Sequence, residues 1–228
     1  MAELPTCVVV DYNSLFCLGL RESSPGNFEL AAEASDATTG ASVAIDIMPD
    51  VVLMNVAVEG FWQIATERII KASPDTKVLI LSNPHRPGET DIAFASGAAG
   101  IVEDTGTPQE LASCIRVVAQ GHEHWGVPWA RRQIELANGA PLGPGANLTE
   151  MQCKLIDATA RGLTTAEIAK EVEVTERTVR RHVEALRTRF KAANDASLVL
   201  NSICEGVPMH RANFPPKSDT FFVSAGGH

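Results

Sequence analysis

Apolar and polar positions follow a regular rhythm along the first half of the chain. Short apolar runs, TCVVV (6–10), FELAAEA (28–34), DVVLMN (50–55), KVLILS (77–82) and GIV (100–102), read as strands. Between them, segments 13–22, 37–47, 61–72, 88–96 and 107–120 read as helices. The runs 51–54 and 78–81 are continuously apolar, as strands buried on both faces are. Strands alternating with helices predict an α/β domain over residues 1–120, with a doubly wound, five-stranded parallel sheet. Such sheets place their sites beyond the carboxyl ends of the strands. Those ends hold Asp11, Asn55, Ser82 with Asn83, and Glu103 with Asp104.

From Leu148 onward the period is helical throughout, predicting an all-α four-helix domain over 148–204. Thr149 is placed to cap a first helix that carries Leu155, Ile156 and Thr159 inward. Residues 164–190 read as two helices joined by a tight turn at Glu173, Val174 and Thr175. Ile168, Ala169 and Val172 mark the first helix. In the second, Val179, Val183, Leu186 and Phe190 fall on one narrow stripe. The opposite side carries Arg177, Arg181, Glu184 and Thr188, with Arg180 on its flank. A last helix, 195–204, buries Leu198, Val199 and Ile203; its other apolar residues serve either the core or a second chain.

Residues 121–147 are expected to be a linker, flexible over 138–147 where Gly and Pro are dense, with a turn or two of helix at 132–137. Trp125 and Trp129 are expected to pack at the domain junction. Two histidines, His122 and His124, are weak evidence for a metal, so surface or capping roles outweigh a metal site. Residues 205–228 read as a mobile tail carrying the apolar triplet Phe221, Phe222 and Val223.

Charge changes this picture in one respect. The chain of 228 residues carries a net −9, which runs against nucleic-acid binding. The charge is unevenly spread: residues 1–120 hold −10, whereas residues 148–204 hold +1, with six Lys/Arg against two acids between Thr175 and Lys191. Duplex binding needs local rather than global positive charge. A short amphipathic helix with arginines opposite its core stripe suits a DNA major groove, where arginine reads guanine edges and pairs with phosphates. A solvated charged helix in a bundle is the plainer alternative.

No apolar run is long enough to span a membrane. The N-terminus lacks the basic-then-apolar order of a secretory signal. Five scattered cysteines without a CxxC pair fit a reducing cytoplasm and give no zinc site. No cofactor is expected.

Two resemblances sharpen these expectations. Leu148-Thr149, Ala160, Gly162-Leu163, Glu167-Ile168-Ala169, Val174, Thr178-Val179 and His182-Val183 resemble the DNA-binding domain of LuxR/NarL-type regulators. The match runs without a gap to about Leu198. It implies that the third helix of the domain enters the major groove of double-stranded DNA. Arg180 and Arg181 match base-contacting positions and Thr178 a phosphate contact; Arg177 and Arg187 are assigned to the DNA backbone. A homodimer is implied, often through the fourth helix. The chain departs from the family at Gln152 for Glu, at Glu173 for the Gly of the turn, and at Glu184 for a basic residue. Glu184 would repel phosphate, or accept from cytosine N4.

VVVDYN, PDVVLMNVAVEG, VLILSNP and GAAGIVED resemble the four signature stretches of a response-regulator receiver domain, a flavodoxin/CheY-like fold. The resemblance implies an acidic pair after the first strand, a phosphate-accepting Asp after the third, a hydroxyl after the fourth and a Lys after the fifth. Here Asp11 keeps one acid and Tyr12 replaces the other, Asn55 stands at the acceptor position, Ser82 keeps the hydroxyl, and Asp104 stands for the Lys. Ile101 replaces the aromatic switch residue. An amide cannot form an acyl phosphate, and magnesium prefers several carboxylate oxygens. The expectation is therefore a pseudo-receiver. Asn55 either hydrogen-bonds at a strand end or mimics a permanent active state.

The chain is thus expected to be a two-component-type transcription regulator acting without Asp phosphorylation. Its signal would be a protein or a small molecule near Asp11, Asn55 and Ser82. A protein-interaction adaptor with weakened DNA binding is the alternative. An enzyme is the weakest reading, because no nucleophile–base pair, metal cluster or phosphate loop is present.

Overall fold

The structure, a computed structural model, describes residues 4–23, 25–82, 87–104 and 106–207. The expected alternation of strands and helices is present. β1 (Thr6–Val10), β2 (Glu29–Ala34), β3 (Val51–Asn55), β4 (Lys77–Ser82) and β5 (Gly100–Glu103) alternate with α1 (Ser14–Ser23), α2 (Ala37–Ile47), α3 (Trp62–Ala72), α4 (Pro87–Ala95) and α5 (Pro108–Ala119). Parallel pairing in the order β2-β1-β3-β4-β5 gives the doubly wound topology.

The sheet has a sixth strand, so the expected count of five is corrected. β6 (His124–Trp125) pairs parallel with β5 through Gly100↔His124 and Ile101↔Trp125. A Cβ on Gly100 would lie 1.9 Å from the His124 carbonyl oxygen, so the added strand requires glycine there.

Side chains that alternate along each strand divide the core into two layers. Cys7, Val9, Leu53, Leu79 and Leu81 face α1 and α5. Val8, Val10, Met54, Val78 and Ile80 face α2, α3 and α4. The second layer continues without interruption into the C-terminal helical domain. That domain consists of α7 (Glu150–Ala160), α8 (Thr165–Glu171), α9 (Glu176–Arg189) and α10 (Asp195–Cys204). Thr149, Thr164 and Asn194 each close a capping box at a helix start, satisfying amide donors that the helix leaves unpaired.

The junction is more structured than its composition implies. α6 (Val127–Ala137) begins five residues before the expected 132–137 turn, with Gly126 at its N-cap and proline in its first turn. Trp129, expected at the domain junction, is fully buried in the continuous core, while Trp125 lies against Phe94 of α4 with ring centroids 6.4 Å apart. The segment expected to be flexible is pinned. The Gly143 amide donates to Asp91 at 2.5 Å, Arg132 donates to the Pro141 carbonyl at 2.8 Å, and Arg189 of α9 donates to the carbonyls of Pro144 and Ala146. Arg132 also grips Asp91 with two bonds of 2.6 Å. The triplet Phe221, Phe222 and Val223 lies outside the described residues.

Candidate nucleic-acid interface and the pocket above the sheet

α9 is held by the predicted stripe. Val179, Leu186 and Phe190 are buried, and Val183 packs at the edge of the same core. Thr175 caps the helix by accepting from the Thr178 amide at 3.3 Å, and the two threonine hydroxyls lie 2.9 Å apart. With one side anchored, Arg177, Arg180 and Arg181 are exposed on the other. Arg180 donates to Glu176 one turn back at 2.6 Å, whereas Arg177 and Arg181 form no ion pair among the described residues.

Arg187 stands apart from this group. Its guanidinium is half-buried and donates to Asp195 at 2.7 Å and to Glu184 at 3.4 Å, tying α9 to the start of α10. Those bonds to Asp195 and Glu184 hold its pKa above the usual arginine value. Asn201 donates to the Phe190 carbonyl at 2.9 Å and reinforces the same seam. An arginine so engaged supports the helix rather than facing solvent as the other three do.

The turn between α8 and α9 is tight. Glu173 adopts φ +55°, the left-handed region that an L side chain enters at a cost. The glycine expected at this position would relieve that strain. The Glu nevertheless leaves the turn intact, since the Val174 amide still bonds the Ala169 carbonyl at 3.0 Å.

Interdomain contacts are made away from the arginines. Gln63 of α3 donates to Cys153 of α7 at 3.1 Å, and residues 205–207 after α10 lie against α4. Burial pushes the Cys153 thiol up to about 12 and the Cys7 thiol likewise to about 12. Both therefore act as small core residues rather than nucleophiles.

At the carboxyl end of the sheet, Asn55 and Asp11 are buried side by side. The Asn55 amide donates to Asp11 at 2.7 Å, and its carbonyl oxygen accepts the Ala57 amide at 2.8 Å. Asp11 also accepts the Asn13 amide at 2.7 Å. Ser82 is wholly buried and its hydroxyl donates to Glu89 of α4. Tyr12 and Asp104 are exposed at the rim, and the Asp104 amide bonds the Ser82 carbonyl at 3.1 Å. Asp11, Asn55 and Ser82 are thus buried together at the strand ends, with an amide–carboxylate pair between the first two, while Tyr12 and Asp104 lie outside them. Among the described residues, no group of three His, Cys, Asp or Glu side chains could hold a metal ion. His124 instead lies 3.3 Å from the Cys114 sulfur, and His122 is exposed. No helix of the described residues is long and apolar enough to cross a membrane.

Glu89 was not legible as a member of this pocket. It lies seven residues beyond Ser82, in the first turn of α4 rather than at a strand end. Asp91 and Arg132 likewise meet only through the fold, 41 residues apart.

Comparison with known proteins agrees with this geometry. Residues 146–201 match the bacterial regulatory proteins of the luxR family. The transcriptional regulatory protein LiaR of Bacillus subtilis is 25% identical over 193 residues, covering 82% of this chain and 91% of LiaR. The nitrate/nitrite response regulator protein NarP of Escherichia coli is 27% identical over 185 residues, covering 78% and 85%. Among solved structures, RcsB of Salmonella enterica serovar Typhimurium, bound to promoter rprA in the presence of phosphomimetic BeF3-, superposes with TM-score 0.62 at 17% identity. That match covers 88% of this chain and 99% of the RcsB chain. The receiver domain of the putative response regulator NarL from Mycobacterium tuberculosis superposes with TM-score 0.51 at 24% identity, covering 53% and 100%. Residues 146–201 therefore match the luxR family as a helix-turn-helix domain, and the α/β domain ahead of them has the receiver fold, an arrangement similar to that of the NarL/LuxR-type response regulators.

Proposed function

We propose that the chain is a DNA-binding transcriptional regulator whose receiver-like domain works without aspartyl phosphorylation. The observation that carries the reading is the exposure of Arg177, Arg180 and Arg181 on α9 while its opposite side is locked in the core. Arg180 and Arg181 read base edges in the major groove, and Arg177 and Thr178 set the register on the phosphates. Arg187, first assigned to the DNA backbone, serves better as the strut between α9 and α10. With a domain charge of only +1, a monomer binds weakly, so the protein acts as a homodimer. Two recognition helices then lie about 34 Å apart, one turn of DNA.

The Asn55–Asp11 hydrogen bond supports the pseudo-receiver reading. It occupies one oxygen of the remaining acid with an amide donor, where phosphotransfer needs a carboxylate nucleophile. The input is then a protein or a small molecule acting at this domain.

The adaptor reading draws on Glu184 and on the Glu176–Arg180 ion pair, which both place acid on the recognition face. A salt titration of full-length protein on its own promoter fragments and on random duplex separates the two. The regulator reading expects tighter promoter binding that weakens steeply with salt. Equal, weak binding to both duplexes favours the adaptor.

A further inference from the structure

Two leucines of α1 face solvent: Leu15 is 77% and Leu18 51% exposed. Beside them, between α1 and α5, opens a slot of about 230 Å³. Leu15, Phe16, Gly19, Leu20, Pro108 and Leu111 line it, and Asp104 stands at its mouth. Leu20 and Leu111 are buried core residues, so the inner wall is apolar. Gly19 keeps the slot open. Glycine in a helix interior is less favourable than alanine, and a Cβ at this position would meet no atom within 4 Å. No described residue needs the space that this glycine leaves; an occupant from elsewhere would.

The sequence carries a segment that suits the slot. Phe221, Phe222 and Val223 belong to residues 208–228, beyond the last described residue. A slot this size admits one aromatic ring and excludes a helix, which is about 10 Å across. The place where the described chain ends favours the same segment. Gly206 lies against Glu89 in the first turn of α4, and Val207 is buried beside Gly145. That turn follows β4, whereas Leu15 and Phe16 follow β1 and Pro108 follows β5. Chain end and slot therefore share the carboxyl end of the sheet. The six strands span about 24 Å, at roughly 4.8 Å per gap. The stretch from Val207 to Phe221 extends to on the order of 45 Å, which is ample. Charge agrees as well. Arg211 and Lys217 precede the phenylalanines against Asp219 alone, while residues 1–120 hold −10.

We propose that the Phe221–Phe222 pair docks in the slot between α1 and α5 of its own chain. One ring fills the space above Gly19 and the other covers Leu15 and Leu18. Docking takes an exposed apolar patch out of water. It also denies this face to a second chain or a small ligand, so the segment sets whether the face is available. Neither α9 nor the Asn55–Asp11 pair takes part.

Photo-cross-linking of the full-length protein without DNA tests this independently of the proposed DNA binding. The photoreactive residue p-benzoylphenylalanine replaces Leu18 at the rim of the slot. After irradiation, mass spectrometry finds the cross-link on the peptide holding residues 219–224. Mixing isotope-labelled and unlabelled chains shows that the link lies within one chain. Phe221→Ser combined with Phe222→Ser lowers the yield roughly tenfold or more, the scale of losing one buried phenylalanine side chain. Gly19→Leu, which fills the slot from inside, lowers it equally, and its melting temperature does not fall. Cross-links that join two chains, cross-links that avoid 219–224, or a yield that the double serine variant leaves unchanged overturns the proposal.

Discussion

Asn55 donates its side-chain amide to the buried carboxylate of Asp11 across 2.7 Å, at the place where a receiver domain is expected to hold two acids. An amide satisfies Asp11 without adding charge. Asn55→Asp removes the donor and sets two carboxylates against each other in a buried site. At neutral pH the variant loses about 1–3 kcal/mol of stability, because one acid must either stay protonated or repel its neighbour. Magnesium recovers part of the loss by ligating both carboxylates. Thermal melts with and without magnesium measure this; an unchanged midpoint that ignores the cation would contradict it.

The arginines of α9 divide into two kinds. Arg181→Ala lowers promoter affinity by roughly 1–3 kcal/mol and leaves the melting temperature near the wild type. Arg187→Ala instead breaks the bonds to Asp195 and Glu184 and costs about 1 kcal/mol of stability. Fluorescence anisotropy and urea unfolding on both variants separate these effects. The opposite pattern would return Arg187 to the DNA surface.

Glu173 holds a left-handed conformation at φ +55° in the turn before α9. Glu173→Gly relieves it and raises stability by up to about 1 kcal/mol, whereas Glu173→Val lowers it by about 1–2 kcal/mol. Urea midpoints decide the sign. A destabilised glycine variant would mean that the Glu side chain contributes more than its backbone strain removes.

Glu205, where the end of α10 packs against α4, has its carboxyl raised above the usual glutamate range. Burial is the larger cause and the Asp91 carboxylate the second, with Arg132 opposing both. Glu89 is packed against the adjoining Gly206. A raised pKa means that the fold favours the protonated acid. The contribution is therefore full below the ordinary glutamate value and fades as pH rises through the shifted one. The domain contact tightens as pH falls through the raised value toward the ordinary glutamate range, and Glu205→Gln removes that dependence. Exchange rates of the 199–207 peptide across this range check it.

The alternation of strands and helices and the anchored stripe of α9 were legible because each follows a single period. Val8 and Val10 face one layer and Cys7 and Val9 the other, while Val179, Leu186 and Phe190 share one helical side. β6 was not legible, since a two-residue strand carries no period and its clue, Gly100, becomes clear only beside His124. The junction misled for a related reason. Gly143 and Gly145 read as flexible, yet they are glycines because Asp91, Ile92 and Glu205 crowd them. The pocket residues Asp11, Asn55 and Ser82 sit at strand ends, where topology points. Glu89 reaches the pocket from a helix and became apparent only in three dimensions.

The most direct test is an anisotropy titration of the full-length protein on its own promoter duplex, with and without acetyl phosphate and magnesium. Tight, salt-sensitive binding with the two curves superimposed is the result expected of a DNA reader with a silent acceptor. Affinity no better than for random duplex, or a curve displaced by acetyl phosphate, would contradict it.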